Sequence, residues 1–178
     1  IVVHNLSDGT SHSISFDEEA YALGLHGSDE WETTETRFGY ESPTTPGQVF
    51  DYDMASQART LIKTQEVPSG HSIDDYVVHR IMAPSHDGVQ VPVTVMHHRA
   101  TPLDGTAPLY LYGYGSYGMS MPASFSIKRL SLADRGMITA TAHVRGGADM
   151  GYGWYLDGKM EKKTNTFIDF IAARDALV

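Results

Sequence analysis

The chain has 178 residues, a formal net charge of −9 and no cysteine. Disulfides, thiolate zinc sites and a cysteine nucleophile are therefore excluded, and nucleic acid is not an expected partner, because the balance opposes phosphate neutralisation. Its composition is globular, and it lacks the run of about 18 apolar residues that a membrane helix needs, so no membrane partner is expected.

The chain opens Ile1-Val2-Val3-His4, with neither an initiator Met nor a leader pattern. It is expected to be an internal piece of a longer protein, with both cytoplasmic and periplasmic locations open. Ile1–His4 and Ser11–Phe16 are apolar or β-branched runs around a turn-forming loop, Asn5 to Thr10. Strands are predicted next at Ala20–His26, Thr36–Glu41, Gln48–Met54 and Arg59–Thr64. Ser42-Pro43-Thr44-Thr45-Pro46-Gly47 and Ala55-Ser56-Gln57 break them. No 3.6-residue period is sustained here. The pattern is antiparallel β, spaced as in a sandwich or a propeller blade.

Pro68, Ser69 and Gly70 mark a linker within Glu66–Asp74, after which the texture changes. Tyr76–Ala83 and Val89–His97 read as strands joined by Ser85-His86-Asp87-Gly88. Pro108–Tyr112 reads as a short buried strand and Ser126–Asp134 as a helix. Met137–Val144 reads as a strand covered on both faces. Thr166–Val178 is the clearest helix, with Phe167, Phe170, Ile171 and Leu177 near one face and Thr164 or Asn165 as its cap. This order predicts an α/β sheet with an antiparallel edge.

Two glycine-rich stretches follow predicted strands, where α/β folds bind ligands. In Tyr112-Gly113-Tyr114-Gly115-Ser116-Tyr117-Gly118, Ser116 fails the Gly-x-Ser-x-Gly elbow because Tyr114 occupies its −2 position. Val144-Arg145-Gly146-Gly147-Ala148-Asp149-Met150-Gly151 departs from the dinucleotide pattern, and Tyr152-Gly153-Trp154 is a poor helix start. The nine histidines show no metal-ligand spacing. The acidic pairs Asp51/Asp53 and Asp74/Asp75 read as solvated turns.

In order and spacing, Leu111 to Gly118, His143-Val144-Arg145-Gly146-Gly147, Gly153-Trp154-Tyr155-x-x-Gly158-Lys159 and Lys163-x-Asn165-Thr166-Phe167-x-Asp169-Phe170 resemble the prolyl oligopeptidase family. Ala142 to Gly147 and Trp154 to Lys159 look most like oligopeptidase B, as does Ser116 where prolyl oligopeptidase tends to have glycine. Upstream, Ser42-x-x-Thr45-Pro46, Val49-Phe50-Asp51-Tyr52-Asp53, Asp74-Asp75-Tyr76-Val77 and Asp87-Gly88-x-x-Val91-Pro92 extend the resemblance over nearly the whole chain.

The resemblance implies an α/β fold: the start of an α/β-hydrolase domain preceded by antiparallel strands from the end of a β-propeller. Residues 1–66 would be propeller, 67–73 linker and 74–178 the start of the catalytic domain. It implies a serine oligopeptidase cleaving short peptides, after Arg or Lys, with a Ser-Asp-His triad beyond Val178. Tyr114 would then donate its hydroxyl to the oxyanion and Tyr117 would line the substrate cleft. Arg145, Gly146, Gly147 and Trp154 would be structural, with neither metal nor organic cofactor required. Alternatives are a post-proline peptidase or other acyl hydrolase of this fold, a non-catalytic β-rich binding module, and a nucleotide-dependent enzyme using the Arg145-Gly146-Gly147 loop.

Overall fold

The computed structural model describes residues 1–27 and 30–178. Its first third is built from local turn chemistry and inward aromatic rings. Strands β1 (Val2–His4) and β2 (Ser11–Ser13) form a hairpin. The Asn5 and Asp8 side chains accept from the backbone N–H groups of Ser7 and Thr10, both at 2.9 Å, which closes its loop. β2 stops at Ser13, short of the predicted Phe16. Ile14 turns into the core instead.

Strands β3 (Ala22–His26), β4 (Glu35–Glu41), β5 (Gln48–Asp53) and β6 (Arg59–Thr64) make an antiparallel sheet in chain order. Phe38 and Tyr40 alternate inward from β4 and meet Tyr52, Ile14, Phe16 and Phe50. The Glu18 carboxylate gathers the hydroxyls of Ser42 (2.6 Å), Thr45 (3.0 Å) and Tyr40. That contact fixes the turn between β4 and β5.

The second sheet runs β7 (Tyr76–Pro84), β8 (Gln90–His98), β10 (Ile138–Ala142), β9 (Leu109–Tyr112) in spatial order. β7, β8 and β10 pair antiparallel, whereas β9 and β10 are parallel. The antiparallel edge read from the sequence is therefore present. Val91, Val93 and Val95 of β8 pack with Ala140, Ala142 and Val144 against Ala173, Phe170 and Leu177 of helix α3 (Thr164–Leu177). On the opposite face, Met96 packs with Leu130 and Ala133 of helix α1 (Ile127–Ala133). Ser126 caps α1 by accepting from Arg129 N–H.

Several local expectations need correction. β9 is not buried: Tyr110 and Tyr112 are exposed, because the strand lies at the sheet edge in this chain. The covered face of α3 is Thr166, Asp169, Phe170, Ala173 and Leu177, while Phe167 and Ile171 face outward. Neither Thr164 nor Asn165 caps α3. Lys163 occupies the N-cap without a side-chain bond to the helix, and Asn165 donates to Asp157 O instead. Tyr152–Leu156 does form a short helix, α2, despite Gly153.

Candidate active site

β9 and β10 run parallel, so the loops that follow them emerge at the same edge of the sheet. The two glycine-rich stretches meet there. Gly118 N–H donates to Gly146 O at 3.0 Å, and Gly146 N–H donates to Trp154 O at 3.0 Å. Gly146 has φ 97°, and a Cβ at that position would overlap the Gly115 carbonyl. Only a residue without a side chain allows this approach. Trp154, on α2, donates its indole N–H to His143 O at 2.9 Å and packs against the sheet core.

Tyr114 stands two residues beyond the end of β9. It is 40% exposed, and its hydroxyl has no hydrogen-bond partner among the described residues. The phenol is thus free to donate to an arriving group. Tyr117, 84% exposed, holds a left-handed backbone with φ 56°, an uncommon conformation for an aromatic residue.

Beneath these loops lies a buried ionic cluster. Arg145 is inaccessible and clasps Asp169 bidentately, with Nε and Nη2 donating at 2.8 and 2.7 Å. Its backbone N–H donates to the same carboxylate at 3.0 Å. Nη1 reaches Asp87 in the β7–β8 turn at 2.6 Å. Donation to Asp169 raises the Arg145 pKa above the ordinary guanidinium value, and donation from Arg145 holds the Asp87 carboxyl below the usual carboxylate range. The cluster ties the β7–β8 turn, the loop after β10 and α3 into one unit.

Nearby, His143 is buried between Asp149 (Nδ1 to Oδ1, 2.9 Å) and Thr94 (2.8 Å). Asp149 also accepts from Met121 N–H at 2.8 Å. A second polar anchor comes from the start of α3. Thr166 donates to Arg145 O at 2.6 Å, and Lys163 Nζ donates to Gly115 O and to Ser116 Oγ at 2.8 Å.

Neither serine at this edge has the surroundings of a nucleophile. Ser116 Oγ accepts from Lys163, and no histidine bonds to it among the described residues. Ser85 Oγ lies 3.4 Å from His86 Nδ1, but it is buried and donates its proton to Asp169 at 2.6 Å.

Tyr114, Tyr117, Arg145, Gly146, Gly147 and Trp154, the site and platform residues expected from the sequence, all stand in the two loops or in α2. Asp87, Asp169, Lys163 and Thr166 carry no role expected from the sequence. Asp169 carried a usable signal, since it is an acid three residues after Thr166 on the face that includes Phe170 and Ala173. An acid among core positions implies a buried cationic partner.

Residues 123–178 match the model of the Prolyl oligopeptidase family. Dipeptidyl aminopeptidase BI of Pseudoxanthomonas mexicana is 44% identical over 97% of the chain and 24% of its own length. Protease 2 of Moraxella lacunata is 38% identical over 99% of the chain and 25% of its length. Oligopeptidase B from Leishmania major superposes with a TM-score of 0.89 at 38% identity, covering 99% of the chain and 26% of that protein. The chain belongs to the prolyl oligopeptidase family. It spans about a quarter of the length of these relatives. In prolyl oligopeptidase terms, the meander β3–β6 comes from the end of a β-propeller, and the sheet β7–β10 begins an α/β-hydrolase domain.

Proposed function

We propose that the full-length protein is a serine oligopeptidase that hydrolyses short peptides, and that Tyr114 supplies one donor of its oxyanion hole. The observation that carries this reading is the half-exposed Tyr114 phenol, without a hydrogen-bond partner among the described residues, at the carboxyl edge of the parallel pair on a loop locked from below. A fixed O–H aimed at developing charge stabilises the transition state more than the ground state. The nucleophile, base and orienting acid of the triad lie beyond Val178, and the backbone N–H after that serine is the partner donor. Tyr117 lines the substrate cleft. Arg145, Gly146, Gly147 and Trp154 form the platform under the loops. Residues 1–66 belong to the propeller, 67–73 to the linker and 74–178 to the catalytic domain.

The test is Tyr114→Phe in the full-length enzyme. Turnover is expected to fall by about 10²–10³, the cost of one such donor, with little change in KM. Unchanged kcat would remove the assignment.

Cleavage after Arg or Lys is the preferred specificity. Likeness to Dipeptidyl aminopeptidase BI, whose name denotes release of dipeptides from an amino terminus, favours a second reading as an exopeptidase. Fluorogenic peptides with Arg, Lys or Pro before the reporter, each with a free or blocked amino terminus, separate the two. Endopeptidase action predicts that blocked Arg and Lys substrates turn over best. Strict need for a free amino terminus supports the exopeptidase, and preference for Pro supports a post-proline enzyme.

A further inference from the structure

Lys162 and Lys163 are sequence neighbours with opposite environments. Lys162 is exposed and pairs with Asp157 at 2.6 Å. Lys163 is half-buried, and no carboxylate lies within ion-pair distance of it among the described residues. Its ammonium is instead committed to the Gly115 carbonyl and, at 2.8 Å, the Ser116 hydroxyl. Burial lowers its pKa below the ordinary lysine value. Partial desolvation of a charge is costly, and here charge-assisted bonds to a neutral loop offset it rather than an acid.

The residues it grips directly follow the proposed oxyanion donor. Gly115 directly follows Tyr114 and has φ 63°, so this peptide is where the loop kinks. Tyr117, three residues after Tyr114, is also left-handed at φ 56°. Such conformations persist only where the surroundings over-determine them. Thr166, one helical turn beyond Lys163, secures the neighbouring loop through Arg145 O at 2.6 Å.

We propose that Lys163 is a positioning residue: presented by the turn that opens α3, its ammonium clips Gly115 and Ser116 and thereby sets where the Tyr114 phenol sits. The inference rests on Tyr114 being the oxyanion donor and adds the group that aims it. Misplacing a catalytic group by about 1 Å costs on the order of 10²-fold in rate.

A double-mutant cycle in the full-length enzyme tests it, with kcat and KM measured for Lys163→Met, Tyr114→Phe and the double variant. Lys163→Met is expected to lower kcat about 10- to 100-fold with KM nearly unchanged, and Lys163→Arg to restore most of the loss. The double variant should lie within about twofold of Tyr114→Phe alone, because a misaimed donor and a missing one are the same defect. If the losses multiply, or if Lys163→Met raises KM and leaves kcat intact, Lys163 does not act through Tyr114 and the proposal falls while the oxyanion assignment stands. If Tyr114→Phe alone leaves kcat unchanged, the assignment falls and takes this inference with it. Should Lys163→Met miss the wild-type Tm, Lys163→Gln, which keeps a neutral donor, takes its place in the cycle with the same criteria.

Discussion

Asp169 carries a carboxylate with no accessible surface, and both its oxygens are filled by Arg145 and Ser85. Removing one member of such a pair leaves the other charge buried and unpaired, at a cost of about 3–5 kcal/mol. Asp87 grips the same guanidinium, but its side chain is 35% exposed, and water can replace much of what is lost there. Asp169→Ala is therefore expected to cost the full-length protein about 3–5 kcal/mol in urea unfolding, and Asp87→Ala far less. Equal costs would mean that Arg145 depends on both acids alike. Asp87 also has a signature in pH. The Asp87 pKa is depressed in the folded state, chiefly by hydrogen bonding from Arg145. Its contribution is present above the ordinary aspartate value of about 3.9 and is lost as pH falls through the lowered value. Asp87→Asn should therefore flatten the decline in stability below about pH 4 while leaving the profile near neutrality parallel to wild type. The sequence showed Arg145 and Asp169 as separate pieces of a family pattern. It did not show their pairing, because 24 residues separate them and no local period links a loop arginine to a helical acid.

Among elements, the strands were the most legible. β4 to β8 were visible in sequence because each is a run of alternating or β-branched residues closed by turn formers. The helices were less so, for reasons of chemistry. Of the four apolar residues that suggested the inner face of α3, Phe170 and Leu177 do pack inward, but Phe167 and Ile171 face outward, and the rest of the covered face is small or polar, with Ala173 under the sheet and Asp169 under Arg145. Hydrophobicity is only a partial guide where a helix docks through an ion pair as well as apolar contacts. α2 was missed because Gly153 weakens it locally, yet Trp154 is held by both its backbone and its indole, so tertiary contacts override propensity. The interlocked glycine loops are the element on which activity should be most sensitive. Gly146→Ala would force a methyl group into the Gly115 carbonyl, whereas Gly151→Ala, at a similar φ of 91°, meets open space. Both variants bear the backbone strain of about 1–3 kcal/mol, but only Gly146→Ala should spread the loops. Peptidase assays should show Gly146→Ala slowed at least tenfold beyond Gly151→Ala, a gap of about 1.4 kcal/mol in barrier. Matching rates would mean that loop contact does not govern the site.

At the level of the whole molecule, two sheets carry separate apolar cores, and polar contacts bridge them. Phe125 N–H donates to Glu41 at 3.3 Å, Arg80 N–H to Glu19 at 3.2 Å, and His71 Nε2 to Thr44 O at 2.5 Å. The change of texture near residues 66–74 revealed the division into two sheets, because composition tracks cores. Single polar contacts leave no periodic trace, so the bridges were not visible. His71 has the most at stake. It comes from the connector, bonds a carbonyl in the β4–β5 turn, stacks on Tyr76 (centroids 5.4 Å apart) and meets Phe125 edge-on (5.5 Å). With Nε2 donating to Thr44 O, the other ring nitrogen, Nδ1, is buried without a partner among the described residues. The ring is thus held by packing and one bond, and it couples the connector to both four-stranded sheets. His71→Ala removes both terms, while His71→Phe keeps the stacking and loses the bond. By hydrogen-exchange mass spectrometry of the full-length protein, His71→Ala is expected to accelerate exchange in residues 65–75 and in β7, with β4 and β5 protected as in wild type. His71→Phe should fall between the two. If exchange instead rises equally through both sheets, they open as one cooperative unit and His71 is an ordinary core contact rather than a coupling between two.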